Sequence, residues 1–214
     1  ITDSGDAASV MNLQIADGTS DSYTTEITNV SFTVTGDTAI LRKAALYAGG
    51  AELAEVAVTG SPITFASISG AIASDAGTQD LTLYVTFQST VTDNEQLSFT
   101  VASVSATAGG TTFAEPHGGA AVSDTSSDNN RIEVTATELI LSGVPTSVSI
   151  AENFSATVTA EDANGNRDLD STTSVTITQS GNNGTLTGGG ATALSGGTNT
   201  FSSLQVDGSG SFTL

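Results

Sequence analysis

The sequence contains no cysteine and no tryptophan, and lysine and arginine together supply only 4 of its 214 residues. Without cysteine, the chain can form neither a disulfide framework nor a thiolate-ligated metal site. The 23 acidic residues bring the formal charge to −19. Such a polyanion has few cations with which to neutralise phosphates, so we expect no nucleic-acid partner. No apolar run approaches the roughly 20 residues that cross a bilayer, so we expect no membrane span.

The composition still supports a folded protein, because 37% of the residues are hydrophobic and only 13% are charged. Lysine occurs once, at Lys43, and the polar residues are mainly Ser, Thr, Asn, Gly and Asp. Cytosolic domains usually mix Lys with Glu on their surfaces, so this composition indicates an exported protein. The chain begins at Ile1 and ends at Leu214 inside a strand-like pattern, and we interpret it as part of a longer polypeptide.

Apolar and polar residues alternate with a period of two along most of the chain. The apolar positions of the clearest runs are Ile27, Val30, Phe32 and Val34; Leu81, Leu83, Val85 and Phe87; Leu97, Phe99 and Val101; and Ile132 and Val134. These runs are rich in β-branched residues and are separated by Gly, Asn, Asp and Ser, which is typical of many short antiparallel strands. The sequence therefore predicts an all-β fold.

One stretch, Ala39 to Val58, has the composition of a helix, with many Ala, Leu and Glu residues. Gly49-Gly50 divides the stretch, and paired glycines supply the positive φ angles of a hairpin turn. We therefore favour two strands joined at these glycines, with a short helix as the alternative.

Length and pattern predict two domains, both antiparallel β-sandwiches, arranged in tandem. The first covers residues 1–134, and no family is indicated for it. The second covers residues 135–214, and its pattern stops before a last strand is complete. The segments Ser31 to Thr35 and Ser155 to Thr159 are similar, which hints at internal repetition.

The second domain carries the most specific pattern in the sequence. Residues 155–166 read SATVTAEDANGN, Val175-Thr176-Ile177 follows, and residues 206–212 read VDGSGSF. This pattern resembles the bacterial immunoglobulin-like repeats of invasin- and intimin-type adhesins, and the resemblance covers residues 135–214. It departs from the family at Arg167, where the repeats usually have proline. The resemblance implies an immunoglobulin-like sandwich that serves as a stalk or an adhesive module on a bacterial cell surface.

Oxygen-bearing side chains alternate along one predicted turn of this domain, at Asp162, Asn164, Asn166, Asp168 and Asp170. Ca²⁺ takes about six to eight hard oxygen ligands, often from a flexible loop. The sequence therefore predicts a calcium site at these residues. Arg167 stands where an EF-hand has glycine, so a solvated turn without metal is the alternative. Two further acidic clusters, Asp93 to Glu95 and Asp124 to Asn130, also lie in predicted turns.

Catalysis has little support in the sequence. His117 is the only histidine, and no nucleophile-elbow motif accompanies it. Glycoside hydrolases and carbohydrate-binding modules stack sugars on aromatic rings, but the chain has no tryptophan and only 3 tyrosines. We therefore expect no enzyme activity.

Lys43 raises one unusual alternative. If Leu41, Ala45 and Tyr47 face inward, strand alternation points Lys43 inward as well, and a lone buried lysine needs a partner. In some surface adhesins such a lysine bonds covalently to an asparagine. The commoner arrangement places Arg42 and Lys43 at a strand edge or a bulge.

Together these observations predict a non-catalytic structural or adhesive segment of a larger bacterial protein, located outside the cell on the cell surface. Its expected partners are neighbouring domains of the same chain or neighbouring subunits, and host or surface glycans or proteins. Two alternatives stay open. In one, the chain is a self-assembling extracellular filament or surface-layer subunit; in the other, it is an accessory module of a secreted enzyme.

Overall fold

A computed structural model describes residues 7–18, 20–106, 120–121, 130–181 and 184–214, and it confirms the all-β class. Antiparallel strand pairs account for every ladder among these residues, and the one helix described there is a single 3₁₀ turn. No helix within the described ranges has the length and apolar character that crossing a membrane requires.

The chain divides into two compact units. Unit 1 consists of Ile1–Val91 and Glu95–Ile132, and unit 2 consists of Thr92–Asn94 and Glu133–Leu214. The division after Ile132 lies two residues before the predicted boundary after Val134. The short segment Thr92–Asn94 is the part of unit 2 that the sequence pattern did not indicate.

Unit 1 is built from two antiparallel sheets. Its strands are β1 (Ala8–Ala16), β2 (Thr25–Thr35), β3 (Leu41–Ala48), β4 (Ala51–Ala57), β5 (Ile63–Phe65), β6 (Ile72–Ala73), β7 (Thr78–Phe87), β8 (Ser98–Ala106) and β9 (Ala120–Ala121). One sheet has the order β1-β7-β3-β4, and the other has the order β5-β2-β8-β9 with β6 also paired to β2. The 3₁₀ turn, Thr38–Ile40, precedes β3.

Both sheets of unit 1 contribute fully buried side chains. Phe32, Phe65 and Phe99 come from the second sheet, and Leu46 and Leu83 come from the first. The rings of Phe32 and Phe65 meet edge to face, with centroids 6.0 Å apart and planes at 84°. This geometry suits the quadrupoles of the two rings, so the largest buried side chains also pack favourably.

The stretch with helix-like composition is a β-hairpin, which confirms the favoured interpretation. β3 and β4 pair in antiparallel fashion on either side of Gly49 and Gly50, whose φ angles are 55° and 85°. Two positive φ angles in a two-residue connection are the mark of a type I′ turn. Ala44, Ala45 and Leu46 are consecutive and all fully buried, so both faces of β3 are covered at these residues.

Lys43 lies beside a bulge in this hairpin. The pairing of β3 with β7 shifts between Leu41 and Lys43, which changes the direction of the side chains that follow. The Lys43 side chain is 41% exposed, and its Nζ lies 2.6 Å from Oε1 of Glu55. The inward orientation expected from strict alternation is therefore wrong, because the bulge breaks the alternation.

Unit 2 is built from one four-stranded sheet and two short strand pairs. Its strands are β10 (Glu138–Ser142), β11 (Phe154–Glu161), β12 (Ser174–Val175), β13 (Ser180–Gly181), β14 (Leu186–Thr187), β15 (Thr192–Ala193), β16 (Thr198–Val206) and β17 (Phe212–Thr213). The sheet has the order β10-β11-β16-β14, and the pairs are β12-β15 and β13-β17.

A single hydrophobic cluster forms the core of unit 2. Its buried members are Phe154, Ala156, Val158, Ala160, Val175, Ile177, Leu194, Phe201, Leu204 and Val206. Every second residue of β11 belongs to this cluster, as the period-two pattern requires. The pattern read from the sequence therefore identifies the buried face of this strand.

A tight turn leads into β16 and packs against the acidic loop of unit 2, which consists of residues 162–170. Gly196 and Gly197 have φ angles of 58° and 71°, and Ser195 pairs with Thr198 across them. The carbonyl of Gly197 accepts the N–H of Ala160 at 2.8 Å. A Cβ on Gly197 would collide with the backbone oxygen of Asp168, whereas a Cβ on Gly196 would meet nothing within 4 Å.

These adjacent glycines provide a matched test of the turn. We expect Gly196→Ala to lower the free energy of unfolding by about 1–2 kcal/mol, from the positive φ angle alone. Gly197→Ala adds a backbone collision and should cost about 3 kcal/mol or more. Urea denaturation followed by circular dichroism measures both variants. Equal losses would contradict the close approach of Gly197 to Asp168.

Candidate functional site

The predicted calcium loop begins directly after β11, and its first carboxylate binds its own turn. Oδ1 of Asp162 accepts the backbone N–H groups of Asn164 at 2.8 Å and of Asn166 at 2.9 Å. Oδ2 of Asp162 accepts Nδ2 of Asn166, also at 2.9 Å. Gly165 has a φ of 81°, which a tight turn at this position requires. The carboxylate thus replaces missing backbone partners, as in an Asx-turn.

The hydrogen bonds of this turn alter the acidity of Asp162. Partial burial by itself raises the pKa of Asp162. The hydrogen bonds from the Asn166 side chain and from the backbone of Asn166 and Asn164 have the larger, opposite effect, so the pKa lies below the ordinary 3.8. Because the folded pKa is depressed, the ionised turn stabilises the fold above the unfolded pKa. That contribution is lost as the pH falls through the lower, folded value.

Asp168 uses its two oxygens in the same way. Oδ1 accepts the backbone N–H of Asp170 at 3.1 Å, and Oδ2 accepts that of Ala136 at 3.0 Å. The second bond reaches across 32 residues to the segment that precedes β10. Asp168 therefore fastens the acidic loop to the beginning of the 133–214 part of unit 2.

Asp93 makes the most deeply buried of the carboxylate contacts that the described residues contain. Its side chain is only 3% exposed. Oδ1 accepts the N–H of Val134 at 2.8 Å, and Oδ2 accepts that of Leu169 at 2.7 Å. Oδ1 also accepts the N–H of Asn94 at 3.0 Å. All four residues belong to unit 2, so one carboxylate joins three separate segments of that unit.

The five residues predicted to bind calcium lie along one loop, but the carboxylates of Asp162 and Asp168 accept backbone N–H groups. Asn166 is buried and donates to Asp162, while Asn164 and Asp170 are exposed. Within the described part of the chain, Asp162, Asp168 and Asp170 do not form a group with oxygens within 4.8 Å of one another. Calcium at Asp162, Asn164, Asn166, Asp168 and Asp170 stays a prediction.

Three other carboxylates do converge, in unit 1. Asp17, Asp21 and Asp75 each bring one oxygen within 4.8 Å of the other two. Oδ2 of Asp17 accepts the hydroxyl of Thr25 at 2.7 Å, and Oδ1 of Asp75 accepts the N–H of Asp21 at 2.9 Å. Three like charges at this distance repel one another, although each carboxylate also accepts hydrogen bonds that offset part of the repulsion.

Sequence reasoning missed this group because its members are far apart in the chain. Asp21 and Asp75 are separated by 54 residues. The pairing of β1 with β7 places Ala16 opposite Thr78 and so brings the two turns to one end of the sheet. The sequence signals are an Asp after β1 and an Asp in the turn before β7, and they become informative only once that pairing is known.

The remaining candidate residues either form an ordinary ion pair or lie outside the described residues. His117 and the acidic cluster Asp124 to Asp128 fall in the part of the chain that is not described. Lys43 donates to Glu55, and this bond lowers the pKa of the Glu55 carboxyl below its ordinary 4.5. A partly exposed ion pair of this kind contributes at most about 1 kcal/mol of stability.

The burial of Asp93 makes a direct prediction for stability. In Asp93→Asn, an amide NH₂ replaces one oxygen and faces either the N–H of Val134 or that of Leu169, so one buried donor loses its acceptor. We expect the free energy of unfolding of this variant to fall by about 2–3 kcal/mol. Asp80→Asn removes the same charge from an exposed residue bonded to Gln14, and it should change stability by less than about 0.5 kcal/mol. Urea denaturation compares the two, and equal effects would refute the role given to Asp93.

The calcium prediction is tested by thermal unfolding of EDTA-treated protein with added Ca²⁺. Binding at the loop should raise the melting temperature. At a Ca²⁺ concentration one hundred times Kd, the added free energy of unfolding is about 2.7 kcal/mol. Asp170→Asn should then abolish the shift, while Asp21→Asn should preserve it. The opposite pattern would locate the ion at Asp17, Asp21 and Asp75. An unchanged melting temperature in the original protein would remove calcium as a ligand.

A scan against protein-family models and searches of curated proteins and of solved structures found no match for this chain. The resemblance to bacterial immunoglobulin-like repeats therefore rests on the residues of the second domain alone. The contacts of the site join carboxylates to backbone N–H groups.

Proposed function

We propose that the chain is a non-catalytic structural or adhesive segment of a larger bacterial extracellular protein. This proposal is supported by the hydrogen bonds of the acidic turns, whose carboxylates bind the backbone of the same protein. Asp93, Asp162 and Asp168 each accept two or more hydrogen bonds, and backbone N–H groups supply most of them. Carboxylates that stabilise turns and join segments serve the fold, as a mechanical or scaffolding module requires.

The arrangement of unit 2 supports the immunoglobulin-like part of this proposal. β11 runs into the Asp162–Asn166 turn, and the Asp207 turn precedes β17. Oδ1 of Asp207 accepts the N–H of Thr185, so this second turn is also stabilised by a carboxylate. Both turns coincide with the positions on which the resemblance to invasin- and intimin-type repeats depends.

The surface composition supports a location outside the cell, on a bacterial surface. The described charged surface is almost entirely acidic, and the one lysine of the chain is paired with Glu55. On this proposal the partners are neighbouring domains of the parent protein, with host or surface glycans or proteins as adhesive ligands. Net negative charge keeps such a segment soluble and discourages non-specific association.

A deletion in the parent gene tests the proposal and separates its two forms. Removing the segment encoding this chain should reduce attachment of the bacterium to its substratum, with the parent protein still exported. An unrelated pair of β-sandwich domains of similar length should restore attachment if the segment acts as a stalk. Failure of that replacement, with restoration by the original segment only, would indicate an adhesive surface.

The location is tested on the same strain. Antibodies against the chain should label intact cells, and externally added protease should remove the label, while a cytoplasmic marker protein is spared. Labelling that requires permeabilised cells would contradict an extracellular role. Unchanged attachment after deletion would contradict a stalk or adhesive function even if the location is correct.

A further inference from the structure

The outermost strand of unit 2, β10, exposes apolar side chains that face the core side of its sheet. Leu139 pairs with Ala160, and Leu141 pairs with Val158. Paired residues of antiparallel strands point to the same face, and Ala160 and Val158 are buried in the core. Leu139 and Leu141 are nevertheless 51% and 38% exposed. The core face of the sheet is therefore uncovered along β10.

This strand opens an uncharged segment of unit 2 whose residues are mostly exposed. Residues 139–151 include no charged side chain, in a chain with a formal charge of −19. Ile140, Val144 and Ile150 are also exposed, by 37%, 38% and 59%. Apolar exposure of this kind, on an edge strand whose one charged residue is Glu138 at its start, is a template for pairing with another strand.

The residues of β10 are complementary to themselves. In an antiparallel pair of two β10 strands centred on Ile140, each Leu139 lies opposite the Leu141 of the other copy. Glu138 then lies opposite Ser142, so no two carboxylates face each other across the pair. The two Ile140 side chains meet on the opposite face of the sheet.

We propose that two copies of this chain associate through their β10 strands and join their sheets across a two-fold axis. A second copy fits better than a basic partner, because β10 offers a single carboxylate, at Glu138, beside the exposed apolar side chains of Leu139, Ile140 and Leu141. It also supplies the matching leucines that cover the exposed core face. A two-fold contact of this type closes on itself, so it yields a dimer rather than a filament. This inference does not depend on the proposed function.

Analytical ultracentrifugation of the chain over a range of concentrations tests the proposal. Because the contact is small, we expect a weak dimer that forms as the concentration rises. Added NaCl should strengthen association, since it screens the repulsion between two anionic copies. A monomer at every concentration and salt level would overturn the proposal.

Paired substitutions locate the contact. Leu139→Lys with Leu141→Lys should weaken dimerisation by at least about tenfold, because both contacts lose apolar burial and gain like charges. Ile72→Lys changes a residue of unit 1 that is 41% exposed, and it should leave dimerisation unchanged. Circular dichroism confirms that each variant is folded. A dimer that survives the double substitution would show that β10 is not the contact.

A cysteine scan gives an independent readout, because the chain has no cysteine of its own. Opposed residues of an antiparallel pair have Cα atoms about 4.5–5.5 Å apart, within the range that a disulfide spans. Ile140→Cys should therefore form a covalent dimer under mild oxidation, and Ser147→Cys, an exposed residue of the same segment, should not. Equal crosslinking of both variants, or of neither, would overturn the proposed register.

Discussion

The buried carboxylate of Asp93 is the constraint on which unit 2 depends. One of its oxygens accepts the N–H of Val134, near the start of residues 133–214, and the other accepts the N–H of Leu169, within the acidic loop. A buried N–H without an acceptor costs about 1–3 kcal/mol, so both segments need this residue. Asp168 adds a second bond, to Ala136, between the same two segments. The acidic loop and the strand that follows Ala136 are thus held by two carboxylates rather than by apolar packing alone.

The same principle explains how a chain with a charge of −19 tolerates its acidic turns. Each of Asp93, Asp162 and Asp168 accepts several N–H groups, so their oxygens have hydrogen-bond partners within the fold. The depressed pKa of Asp162 is one expression of this arrangement. The carboxylates of these turns therefore bind backbone N–H groups close to them in the fold. A calcium ion in the loop would add to a turn that already has internal partners.

The apolar side chains of unit 2 are only partly covered. The four-stranded sheet buries one face of β11 and β16, whereas the opposing strand pairs are only two residues long. Leu139 and Leu141 lie on the core side of β10 but stay exposed. An uncovered edge of this kind is where a neighbouring chain would gain the most apolar burial.

Local features of this protein followed from its sequence alone. Alternation predicted the strands and Gly49-Gly50 predicted the hairpin, because each signal depends on residues close together in the chain. Tertiary structure decided the rest. The bulge beside Lys43, the burial of Asp93 in unit 2 and the convergence of Asp17, Asp21 and Asp75 all depend on strand pairings and contacts between distant segments. Such pairings are set by the packing of whole sheets, which no short stretch of sequence encodes.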